Sequence, residues 1–202
     1  MIRAEANTPD AALRRVVGIV ALLNLAYFGV EFVVALRIGS VSLFADSVDF
    51  VEDASVNFLI FTALAWSAKQ KARVGMLLAG ILLVPAVAML WALWSKFNVP
   101  VPPEPLALSI TGLGAMGVNL CCALLLVRYR HHGGSLTKAA FLSARNDVLA
   151  NIAIVGAGLL TALHPSVWPD VVVGLGIAWM NADAAKEVWK AARDEHRAVE
   201  RA

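Results

Sequence analysis

The chain has 202 residues, of which 59% are hydrophobic and 16% charged, with a formal net charge of +2 and a mean hydropathy of +0.71. A soluble domain lies nearer about 45–50% apolar and 25% charged, and here the apolar excess is gathered into long runs. An ordinary water-soluble domain is therefore excluded, and so small a net charge argues against a nucleic-acid partner.

In chain order, the first fifteen residues are polar. "NTPD" reads as a helix start, with Thr8 as N-cap, Pro9 at the first helical position and Asp10 behind it. No cleavable signal pattern is visible, so the first apolar helix is expected to be retained. A spanning helix needs about 20 mostly apolar residues. Six candidates meet this, at 15–37, 41–67, 73–95, 106–127, 137–163 and 168–185. The breakers between them are "RIGS", "SAKQKAR", "NVPVPPEP", "RYRHHGGS" and "LHPSVWPD". The expected organisation is an N-terminal segment (1–14), a six-helix membrane domain (15–188) and a short helical tail (189–202). The fold class is all-α, a polytopic membrane protein with six transmembrane helices.

Fourteen of the 17 Lys and Arg residues fall in the N-terminal segment, the second–third and fourth–fifth loops and the tail. The other three are Arg37, Lys96 and Arg145. The positive-inside bias then places both termini in the cytoplasm, across a bacterial inner membrane or its equivalent.

The second span contains "LFADSVDFVEDASVNF", with four acidic residues in an apolar run. Each charge at a helix centre costs about 2.5–3.5 kcal/mol on insertion scales. At about 100° per residue, Asp46, Asp49, Asp53 and Asn57 fall on one stripe about 80° wide, with Glu52 to one side. Stacked carboxylates at low dielectric repel, and they are relieved by binding a cation or exchanging protons. The alternative is a structural cluster paired to a basic residue, for which Arg145 is the one central candidate in the spans. The fifth span, "SARNDVLANIAIVGAGLL", places Ser143, Asn146, Asp147 and Asn151 on one face and Arg145 on the far side. Asp49 and Asp53 facing Asp147, with Ser143 or Asn146 beside them, make an oxygen-rich cage suited to a divalent cation.

These residues carry a resemblance. "GSVSLFADSVDFVEDASVNF" is similar to the second-helix signature of the cation diffusion facilitator family. A glycine–serine turn there leads to Ala-Asp, then a His or Asp, then an Asp four residues later. Asp49 and Asp53 match the metal-binding pair, and Asp46 matches the preceding aspartate. In the fifth helix Asp147 and Asn151 match, while the family's histidine position is Ser143. The resemblance covers nearly the whole chain. It implies a secondary transporter that exports a divalent cation of the Zn, Co, Mn, Fe or Cd class, with protons as the counter-ion and no cofactor or enzymatic step. The site without its histidine is all-oxygen, with Ser143 or Asn146 in that place. The family's cytoplasmic metal-binding domain after the sixth helix is not expected here, so a homodimer would form through membrane helices. A metal-binding membrane protein or a cation channel is the alternative. The CDP-alcohol phosphotransferases also begin a second helix with Asp-xx-Asp, but their following Ala-Arg and later Asp pair have no counterpart.

Glu31 shares a helix face with Asn24 and is expected to line the pathway, to pair with Arg145, or to be structural. Glu52 is expected in a similar role. His131 and His132 read as a solvated basic loop, and Asp183 as a solvated helix end. "GLGAMG" (112–117) fits a dinucleotide fingerprint only in spelling, since no strand precedes it. Like "GAG" (156–158) and "GLG" (174–176), it reads as close helix packing. Cys121 and Cys122 fit neither a disulfide framework nor a zinc spacing and read as small core residues. Trp91, Trp94, Trp168 and Trp189 read as interfacial anchors.

Overall fold

The computed structural model describes residues 9–62, 87–129 and 134–180. They form six helices, with no strand among the described residues. These are α1 (Pro9–Ile38), α2 (Val41–Thr62), α3 (87–98), α4 (Pro105–Leu126), α5 (Gly134–Leu163) and α6 (Trp168–Met180). Residues 63–67, 73–86 and 181–185 of the expected second, third and sixth spans, together with Thr8, His131, His132, Asp183 and Trp189, lie outside the described residues.

By length and apolarity, Ala11–Ile38, Pro105–Leu126 and Ser143–Leu163 can each cross a membrane, and Trp168–Met180 is a shorter apolar helix. Helix α2 has the length, at 22 residues, but its four acids lower its apolarity. Where the chain starts and stops each helix follows local chemistry. Pro9 is helical, and the Thr8 cap expected from "NTPD" lies outside the described residues. Glu104 caps α4, its carboxylate accepting from the Leu106 and Ala107 amides ahead of Pro105. That satisfies orphan donors and places negative charge at the positive end of the helix dipole. Helix α1 ends at Gly39, whose φ of 62° is left-handed, while the Ser40 amide bonds the Ala35 carbonyl at 3.2 Å. This 6→1 closure needs a residue without Cβ strain.

The α1–α2 hairpin packs against the α4–α5 hairpin, with α1 on α4 and α2 on α5. Small residues bring the backbones together. A Cβ on Gly112 would meet Ile154 at 2.9 Å, and on Gly114 or Gly158 it would collide with the Tyr27 or Ser109 hydroxyl. The glycine motifs are thus packing devices in part only, because Gly117, Gly156 and Gly176 face open space. Cys122 is buried in the core and Cys121 is exposed.

The apolar core falls into two clusters. One, at the α1–α2 turn, includes Ala35, Leu43, Phe44, Met89, Val171 and Ile177 and so draws in α3 and α6. The other, at the opposite end, includes Val17, Val20, Cys122, Leu126 and Ala144. Between them lies a polar belt of buried side chains, among them Asn24, Glu31, Asp46, Asp53, Asn119 and Asn151. Trp91, Trp94 and Trp168 are largely exposed where α3 ends and α6 begins, and Phe97 meets Trp168 edge-on at 6.5 Å.

Candidate functional site

The belt draws on α1, α2, α4 and α5, and its carboxylate cluster is built from α2 and α5. The stripe on α2 faces inward as its periodicity required: Asp46, Asp53 and Asn57 are buried and Asp49 is half-buried, while Glu52 is exposed. Asn57 donates from its amide to the Asp53 carbonyl at 2.9 Å. That bond closes a turn of the same helix and aligns Asn57 with the stripe.

From α5, the Ser143 hydroxyl donates to Asp53 Oδ1 at 2.9 Å. Asp147 is half-buried one turn further on and comes within hydrogen-bonding reach of Asp53. Asp49 lies near enough to Asp147, Asp46, Asp53 and Glu52 to feel the charge of each. The structure therefore gathers Asp49, Asp53, Asp147 and Ser143 at one place on the α2–α5 interface. Among the described residues, no three carboxylate, imidazole or thiol groups converge tightly enough to hold one ion as they stand. Like-charged groups without a cation between them repel.

Asn146 is not in the cluster. It is exposed, and its Oδ1 accepts from Arg145 Nη2 at 3.1 Å. Arg145 is itself exposed, on the far side of α5, so the pairing of Glu31 with Arg145 is overturned. Glu31 is instead fully buried beside Asp46, with Asp49 also near. Asn151 donates to Asp46 Oδ2 at 2.5 Å and accepts from Asn119 Nδ2 at 3.0 Å. Asn119, a lone amide in the apolar run of α4, drew no attention in the sequence; its only signal was its polarity.

A second residue also escaped sequence reading. Asp170, in the first turn of α6, is fully buried and receives the start of α2. Its Oδ1 accepts from the Ser40 hydroxyl (2.6 Å), the Ser42 hydroxyl (2.7 Å) and the Ser42 amide (3.1 Å), and Oδ2 accepts from the Val41 amide (2.8 Å). One carboxylate thus caps a helix belonging to a distant part of the chain. Gly174, one turn along α6, makes this approach possible, since its Cβ would lie 2.8 Å from the Ser42 nitrogen. Nearby, the Lys96 ammonium donates to the Val101 carbonyl, and burial pushes this lysine below its ordinary range while Asp170 opposes that shift. A cleft of about 630 Å³ lies at this end, lined by Arg37, Gly39, Trp91 and Lys96 among others. None of the belt carboxylates lines it.

An all-helical chain with apolar spans and a buried carboxylate belt defines a multi-pass membrane protein whose interior is built for cations. Residues 17–194 match the model of the cation efflux transmembrane domain, and the chain belongs to that family, the cation diffusion facilitators. It is a cation transporter of that family. No individual curated protein matches the chain.

Proposed function

We propose that this chain exports a divalent transition-metal cation from the cytoplasm in exchange for protons. Asp49, Asp53 and Asp147 are the ligands in this reading, and both termini lie in the cytoplasm. The observation that carries it is the Ser143–Asp53 hydrogen bond beside Asp147, which ties the acidic stripe of α2 to the one carboxylate of α5. Alternating access would expose this cluster to one side at a time. Carboxylates that bind metal must be deprotonated, so metal binding releases protons and acid on the far side promotes release. The ion is cargo, and no cofactor or covalent step is required. A homodimer through the membrane helices fits this reading.

Proteoliposome flux tests it. Metal should accumulate against its gradient when a proton gradient is imposed, and collapse of the proton gradient should stop accumulation. Flux indifferent to the proton gradient would indicate a channel, and binding without flux a metal-binding membrane protein.

Ser143 sets the expected selectivity. Hydroxyl and carboxylate oxygens favour manganese, iron or cobalt over zinc relative to a site with imidazole. Ser143→His should therefore raise zinc flux relative to manganese and make it more acid-sensitive, since imidazole titrates near about pH 6.5. An unchanged zinc-to-manganese ratio in the folded variant would remove residue 143 from the ion's surroundings.

A further inference from the structure

Glu31 is fully buried, and neither of its carboxylate oxygens has a donor among the described residues; Asp46 Oδ1 is likewise unpartnered. The two carboxyls stand within hydrogen-bonding reach of one another across the α1–α2 interface. When both are ionised each is only an acceptor, so the pair is satisfied either by one proton shared between them or by a cation held between them. Buried groups of this kind carry a large desolvation penalty, and an unsatisfied cluster points to a bound ion or water.

The surroundings orient one of the two groups. Asn119 fixes the amide of Asn151, and Asn151 holds Asp46 Oδ2, leaving Oδ1 without a donor. A relay of amides that steers a carboxylate while leaving one oxygen open is how outer-shell residues set metal ligands. None of the described Arg and Lys side chains is seen to pair with Glu31 or Asp46: Arg15, Arg37 and Arg128 are exposed, and the other three have contacts elsewhere. Arg145 is bound to Asn146, Lys96 to Val101, and Arg14 lies 4.8 Å over the Phe61 ring.

We infer that Glu31 and Asp46 form a second divalent-cation station, distinct from the one at Asp49, Asp53 and Asp147. At 1.5 Å per residue, it lies about 5–10 Å nearer the α1–α2 turn than Asp49 and Asp53. Two carboxylates with water in the remaining positions suit a hard, oxygen-preferring cation, of which Mn²⁺ is a convenient probe. The inference deepens the reading of α2 as the ion-carrying helix, and rests on it.

The test is equilibrium Mn²⁺ binding to the detergent-purified full chain, counting ions per chain. Wild type should bind two. Glu31→Gln, nearly isosteric, should lose one and retain the other, whereas Asp53→Asn should lose the other and retain that of Glu31. Asn151→Ala should weaken only the Glu31–Asp46 ion, by about 10–100-fold, as removal of an outer-shell partner does. One ion in the wild type, two in Glu31→Gln, or unaltered affinities in Asn151→Ala would each overturn the second station. If Asp53→Asn still binds two ions while Glu31→Gln binds one, the second station stands and the ligand assignment at Asp53 fails.

Discussion

Asp53→Ala is expected to abolish metal transport while the protein still inserts and purifies normally. Asp53 is where α2 and α5 meet: Ser143 donates to it, Asp147 lies within hydrogen-bonding reach, and it is buried in the middle of the helix stack. Loss of an outer-shell partner alone typically weakens metal binding by about 10–100-fold, so removing Asp53, a direct ligand in the proposed reading, should lower uptake by more than about 100-fold. Alanine also relieves repulsion among the remaining carboxylates, which argues that folding survives. Asp49→Ala should behave alike. In calorimetric titrations, Asp49→Ala combined with Asp147→Ala should bind metal no worse than the weaker single variant, since groups that share one ion are not additive. Near-normal uptake into everted vesicles by either α2 variant would defeat the assignment.

Asp170→Ala is expected to have the largest effect on stability. Four donors from residues 40–42 converge on this one carboxylate, and alanine leaves them buried without an acceptor. Each orphaned donor costs about 1–3 kcal/mol, and breaking a buried charged network typically costs about 3–5 kcal/mol in all. For a chain of this size that corresponds to a drop of roughly 10 °C in melting temperature. Asp170→Asn keeps one acceptor oxygen but turns an NH₂ towards other donors, so its loss should be smaller. Thermal unfolding in detergent reads both, and an unchanged midpoint for Asp170→Ala would show that the cap carries little of the fold.

How much of this was legible in the sequence depended on whether the relevant spacing was local. The α2 stripe could be read because helical periodicity alone aligns residues 46, 49, 53 and 57. The inward face of α5 was legible for Ser143, Asp147 and Asn151 for the same reason. Asn146 was placed on that face too, but lies outside the cluster, because one residue of helix rotation turns it towards Arg145. Partners across helices were not legible. Asp170 finds Ser40 130 positions away, and nothing near the tryptophan–proline pair before it announces a cap. Glu31 was recognisable as a buried polar residue, yet its neighbour depended on which face of α5 carries Arg145.

The two-residue link at Gly39 and Ser40 has a mechanical consequence. Two residues reach at most about 7 Å, so α2 has no slack with which to slide along α1. Pinned at its first turn by Asp170, it behaves as a lever whose fulcrum is the turn. At 1.5 Å of rise per residue, a tilt of about 10° about that fulcrum would move Asp46 by roughly 1 Å, Asp49 by roughly 2 Å and Asp53 by roughly 3 Å. The same rotation that barely disturbs the carboxylate beside Glu31 would part Asp53 from its neighbours on α5, so that of the two proposed ion positions one would open while the other stays closed.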